Sequence, residues 1–288
     1  MKNKIVKSYI ELSKPRILML ILVTTALGYF WAWEAFRIDV TFWWTMMGAS
    51  LVCAGSGALN HYLEREVDCK MTRTKNRPIP KGIIRPVQAL SFGLLLVVSG
   101  VFLLFVKVNP LTSLLSLLTS LMYLLVYTPL KRLSWLNTSI GAIPGSIPPL
   151  GGWAAATGHL DLHAWILFFI LFLWQHPHFF AIAWIFRDDY KRAEFKMLPV
   201  LESDGRWTFV NIFAASILLI PVSMLPTFVG MSGSIYATGA LALGLAVLFI
   251  CKNFYDTKNI QQAHNLLHAS IIYLPVLLLL IIVDAFLY

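Results

Sequence analysis

Nine apolar runs, each of about 18 residues or more, take up most of the chain: about 17–36, 41–59, 88–107, 111–128, 136–156, 163–186, 208–229, 233–251 and 268–287. A helix needs roughly that length to cross the hydrocarbon layer of a bilayer. The runs hold Leu, Ile, Val and Phe with Gly and Pro among them, as packed membrane helices do. None shows the ten-residue alternation of a membrane β-barrel. Charged residues are 13% of the chain and hydrophobic residues 58%, against roughly 25% charged in soluble domains. The fold class expected is an all-α polytopic membrane protein with nine transmembrane helices. The Gly/Pro-rich stretch Gly141–Gly152 is the least suited to one straight helix.

The basic residues orient the chain. With the N-terminus in the cytoplasm, 21 of the 23 Lys and Arg fall on the cytoplasmic side, leaving Arg37 and Lys107 on the other. This is a positive-inside pattern, so the net charge of +9 records topology and does not point to nucleic acid. The segment Met1–Ser13 lacks a cleavable signal pattern and an Arg/Ser-rich transit peptide, so a bacterial inner membrane is the expected address. Cys53, Cys69 and Cys251 have no paired spacing and indicate neither a disulfide framework nor a zinc site. Residues 1–288 read as a single membrane-embedded domain, whose functional cytoplasmic loops are about 60–87 and 187–207.

The first of these loops carries the chemistry. Asn60, Glu64 and Asp68 are spaced i, i+4, i+8, each step advancing about 6 Å and drifting about 40° round a helix. Three oxygen-bearing side chains are thus expected on one face at the end of the second span. Mg²⁺ takes one or two carboxylates, waters and substrate phosphate oxygens. Arg73 and Arg77, again four apart, suit a diphosphate through their forked donors. A solvated helix end with interspersed charges is the plainer reading. Acids emerging from a span in an acid-poor chain favour the functional one.

The second loop, Arg187-Asp188-Asp189-Tyr190-Lys191-Arg192, repeats the acid-plus-base composition on the same face. Upstream lies Trp174-Gln-His-Pro-His178, whose two histidines sit on different helix faces unless Pro177 distorts the turn. Lys131 and Arg132 add cations to the same rim. No phosphate-cradling Gly-rich loop and no nucleophile–base signature is present.

Asn60-x3-Glu64-x3-Asp68 followed by Met71-x-Arg73-Thr74-x2-Arg77-Pro78 resembles the first motif of the UbiA-type intramembrane prenyltransferases. Lys14-Pro-Arg, Tyr127-Thr-Pro-Leu-Lys-Arg, Pro148-Pro-x-Gly-x-Trp153, Trp174-Gln-x-Pro-His178-Phe and Asp189-Tyr-x2-Ala193 with Met197-Leu-Pro199 extend the resemblance over nearly the whole chain. They direct it to the protohaem IX farnesyltransferase (haem O synthase) branch.

The resemblance implies a UbiA-type bundle around a central cavity, with farnesyl diphosphate and haem b as substrates and haem O and diphosphate as products. Haem b is then substrate rather than cofactor. It further implies Mg²⁺ held by Asn60, Glu64, Asp68 and Asp189, with these four as catalytic residues. Arg73, Arg77, Lys131 and Lys191 would bind the diphosphate, and His178 and Trp174 would contact haem. Membrane lipid, and a haem A synthase or terminal oxidase assembly, are the implied partners. Two departures stand out: Asp189 is followed four residues on by Ala193 rather than an acid, and Glu64 replaces a frequent aspartate. Two alternatives share features with this reading. Prenyl transfer to a quinone or chlorophyll precursor would use the same diphosphate site. A transporter or assembly factor without catalysis would place its charges near mid-membrane.

Overall fold

In the computed structural model, residues 2–33 and 38–287 are described; Arg37, assigned above to the far side, lies outside them. The described residues form helices and connecting turns, with no strand among them. An N-terminal helix α1 (Lys2–Leu12) precedes α2 (Pro15–Ala32) and α3 (Val40–Leu63), and a single turn α4 (Arg65–Asp68) follows. Next come α5 (Pro86–Lys107) and α6 (Pro110–Leu121), which passes through a π-helical turn, Met122–Tyr127, into α7 (Thr128–Leu133). The chain continues with α8 (Asn137–Thr157), α9 (Leu162–Ile185) and the short α10 (Arg187–Arg192) and α11 (Leu198–Leu201). It ends with α12 (Arg206–Phe228), α13 (Ser234–Thr257) and α14 (Ile260–Leu287).

The sequence sets these boundaries by ordinary means. Proline opens α2, α5 and α6, where its missing N–H costs nothing. Asn109 accepts from Thr112 N at 2.8 Å to cap α6. Asp161 caps α9, accepting from His163 N at 3.0 Å and Ala164 N at 3.2 Å, which satisfies donors the first turn leaves unpaired.

Seven helices among the described residues are long and apolar enough to cross a membrane: α2, α5, the rod Pro110–Leu133, α9, α12, α13 and α14. With large apolar side chains such as Phe102, Phe105, Phe228 and Phe249 exposed, the protein is a multi-pass membrane protein. The other two long helices, α3 and α8, are less apolar for a physical reason. Both turn polar or small residues toward protein: α8 is buried along most of its length, and α3, which leaves Trp43 and Met47 exposed, buries Thr45, Ser56, Asn60 and His61. A face shielded from lipid need not dissolve in it.

Despite Pro144, Pro148 and Pro149, α8 is one continuous helix. Its support comes from α2. A Cβ on Gly152 would lie 1.9 Å from Thr25 O, and one on Gly28 would lie 2.0 Å from Pro149 O. The two backbones touch through their glycines, as small residues allow between membrane helices. Side chains also supply donors to α8 carbonyls: Asn109 Nδ2 to Ala154 O at 2.7 Å and Gln175 Nε2 to Ala142 O at 3.1 Å.

The C-terminal helices form a filled core around Trp184, Phe209, Phe254 and Tyr273. The N-terminal half does not close up in the same way: α2, α3, α6, α8 and α9 surround a cavity. While α2 packs closely on α8 and α3, it meets α9 only lightly and has no extensive packing on α14. Ile17, Leu20 and Ile21 of α2 and Phe179, Ile182 and Leu274 opposite all line the cavity, and Ile17 and Leu20 are exposed. The cavity is therefore bounded between α2 and the α9–α14 wall by a loosely packed seam.

Candidate active site

The cavity has a volume of about 1020 Å³, at the top of the roughly 300–1,000 Å³ range of small-molecule pockets. One end is polar and cationic, and the remainder runs between apolar helix faces. The polar end is built where α3 stops. Glu64 caps α3 with φ −92° and ψ 4°, yet the ladder is kept across the break, with Glu64 N donating to Asn60 O at 2.9 Å and Asp68 N to Glu64 O at 2.8 Å.

Asn60, Glu64, Arg73, Arg77 and Lys131 all line the cavity, as do Trp174 and His178. Asp68, Asp189 and Lys191 do not. The expected single face of three metal ligands is therefore modified. Asp68 is fully buried and accepts both 2.7 Å and 2.8 Å bonds from Arg77 Nη1, so it holds the arginine that faces the cavity. Asp189 accepts from Thr72 N and Arg73 N, each at 3.1 Å, and from Arg192. Burial would raise its carboxyl, but these backbone donors and Arg192 hold it below the usual carboxylate range. Its position makes it a clamp on the first loop's backbone. Lys191 is exposed: two residues beyond Asp189, it lies on the opposite side of α10. Glu194 is also exposed and pairs with Lys70 at 2.8 Å.

Each oxygen donor at the polar end is matched to a cation. Lys131 Nζ donates to Glu64 Oε1 at 2.7 Å. Lys14 Nζ donates to Asn60 Oδ1 and, at 3.1 Å, to Tyr123 Oη. Burial alone would raise the Glu64 carboxyl, but Lys131 and Lys14 hold it below its ordinary value. For Lys14, burial and then the nearby Arg77 bring the ammonium down to about 7. This lysine was not assigned a role in the sequence, although it stands beside a helix-opening proline; its backbone is left-handed, with φ 49°, which turns α1 into α2.

The π-helical turn sets the aromatic wall. Thr128 Oγ1 bonds Tyr123 O at 2.8 Å and accepts from Asn60 Nδ2 at 3.1 Å, while Tyr123 and Tyr127 stack at 5.8 Å. Lys131 lies 4.5 Å over the Tyr127 ring, and Gly141 leaves room for that ring, since a Cβ there would come within 2.4 Å of it. Such π segments recur at functional sites.

An oxygen-only donor pair facing the cavity suits Mg²⁺. Asn60 Oδ1 and Glu64 fit that requirement, and Glu64 Oε2 has no partner among the described residues. No group of three or more His, Cys, Asp or Glu within reach of one ion occurs among them.

At the apolar wall, Trp174 Nε1 donates to Ser270 O at 2.7 Å and stacks on His178 at 5.0 Å. His176 turns away: its Nδ1 is 2.8 Å from Phe172 O and its Nε2 3.1 Å from Ser139 Oγ.

Known proteins share both the fold and the sequence. Residues 21–274 match the UbiA prenyltransferase family. The chain is 44% identical to the protoheme IX farnesyltransferase of Solibacter usitatus over 96% of this chain and 98% of that one. It is 43% identical to the protein of the same description from Salinibacter ruber, over 97% and 99%. Among solved structures, that of a digeranylgeranylglyceryl phosphate synthase superimposes with a TM-score of 0.82 over 98% of this chain and 99% of that one, at 19% identity. A UbiA homologue from Archaeoglobus fulgidus bound to GPP and Mg²⁺ gives a TM-score of 0.70 at 15% identity, covering 95% and 99%. The family match and the near-full-length identity agree, and the chain belongs to the UbiA prenyltransferase family.

Proposed function

We propose that the protein is a protohaem IX farnesyltransferase, moving the farnesyl group of farnesyl diphosphate to a vinyl group of haem b to give haem O. The observation that carries this is one cavity joining a cationic end to an apolar wall bearing His178 and Trp174. Full-length relatives of that description support it. Lys14, Arg73, Arg77 and Lys131 gather the positive charge that a departing diphosphate requires. As the C1–O bond breaks, negative charge develops where these four side chains converge. The vinyl carbon bonds to C1, water adds to the adjacent carbon, and a proton is released. The stacked Tyr123 and Tyr127 rings offer faces to the allylic cation, and the enclosed cavity keeps water from it.

Mg²⁺ would be held by Asn60 and Glu64 and would supply charge neutralisation to the diphosphate. Asp68 and Asp189 act on the same site by holding Arg77 and the Thr72–Arg73 backbone. Lys191 contributes no contact to the cavity and serves only the charge of the rim. We take the chain as one domain of nine spans, with α3 and α8 completing the seven. The N-terminus is in the cytoplasm, the membrane is the bacterial inner membrane, and a haem A synthase or oxidase assembly receives the product.

The test is purified protein in liposomes with haem b, farnesyl diphosphate and Mg²⁺, haems being read by mass. A haem heavier by one farnesyl group and one hydroxyl group is expected. Unchanged haem, alongside prenylation of a quinone precursor supplied in parallel, would overturn the assignment.

A further inference from the structure

The hydrogen bonds around His178 fix which nitrogen carries its proton. His178 Nδ1 lies 2.9 Å from Ser270 Oγ, and Ser270 Oγ donates to Leu267 O at 2.7 Å. A serine hydroxyl has one proton, and a carbonyl can only accept. Both contacts are hydrogen bonds only if Ser270 gives its proton to Leu267 O and accepts one from His178 Nδ1–H. The cavity-lining imidazole is therefore the Nδ1–H tautomer, with a lone pair on Nε2. That nitrogen has no partner among the described residues. Trp174 stacks on the ring with planes 21° apart while donating to Ser270 O, so one serine residue holds both rings.

A lone pair on Nε2 cannot donate to a carboxylate. It can bind a transition metal, and imidazole suits iron. Metal-binding histidines characteristically donate their other N–H to a protein oxygen, which fixes ring and tautomer; Ser270 Oγ occupies that place. We propose that His178 Nε2 is an axial ligand to the iron of the porphyrin acceptor, and that Ser270 is the positioning residue that presents it. This rests on haem being the acceptor. It assigns the histidine to the metal rather than to a propionate, and it pins the porphyrin at its centre so that an edge vinyl can reach the prenyl carbon.

The test uses the full-length protein in detergent, titrated with ferric haem b and separately with metal-free protoporphyrin IX. Wild type should show the optical and electron-spin signature of imidazole-ligated iron. His178→Gln should lose it, and His178→Gly should regain it with added imidazole. Ser270→Ala, which keeps the backbone carbonyl used by Trp174, should weaken haem b binding about 10–100-fold. Metal-free protoporphyrin should bind all variants alike. A His178→Gln spectrum identical to wild type would overturn the ligation alone. Equal loss of both porphyrins would make His178 a packing residue and overturn it too. Wild type that binds neither would sink the acceptor assignment along with it.

Discussion

Lys14 shows how one residue acquires a role by position. Half-buried and bonded to Asn60 and Tyr123, its ammonium faces the same cavity as Arg77 and Lys131. Removing a preorganised charge of this kind typically costs about 10²–10³ in rate. Lys14→Ala should lower kcat/KM for farnesyl diphosphate by that order and weaken inhibition by inorganic diphosphate; unchanged inhibition would remove Lys14 from the site. Asp161→Ala, at the opposite end of α9, should cost about 1 kcal/mol as a lost cap, measured as a lower Tm, with unchanged turnover per folded molecule. Charge type and spacing in the sequence were enough to group Asn60, Glu64, Arg73 and Arg77, all of which line the cavity. They could not separate Asp68, which faces Arg77, from Asn60 and Glu64, which face the cavity, because the helix break at Glu64 leaves no mark in an i, i+4 pattern. Lys14 and Ser270 stayed hidden for another reason: their partners are 46 and 92 residues away.

At the scale of elements, α2 and α8 depend on backbone contact. A Cβ at Gly152 has nowhere to go because Thr25 O is part of a helix rather than a flexible side chain. Gly152→Leu should destabilise by about 1–3 kcal/mol or more, read as loss of folded protein in detergent. Gly151→Ala, with nothing within 4 Å of its Cβ, should leave Tm where it is. The apolar runs made most helices legible, since lipid exposure demands a continuous apolar stretch. The run at about 136–156 likewise located α8, Asn137–Thr157; what its Pro and Gly left open was continuity, which packing against α2, α6 and α9 maintains.

For the whole molecule, the asymmetry of charge becomes an asymmetry of access. Of the three cysteines, Cys69 is exposed, Cys53 partly so and Cys251 buried. With the N-terminus in the cytoplasm, a membrane-impermeant maleimide should label Cys69 in inverted vesicles and not in intact spheroplasts; the reverse pattern would turn the molecule over. The seam between α2 and the α9–α14 wall carries a last consequence. A site reached through the side of a bundle samples molecules dissolved in the bilayer, so a substrate's abundance is counted per unit of membrane area, not per volume of cytosol. Inert lipid would then act as a diluent, so turnover in liposomes should fall as lipid is added at fixed protein and substrate.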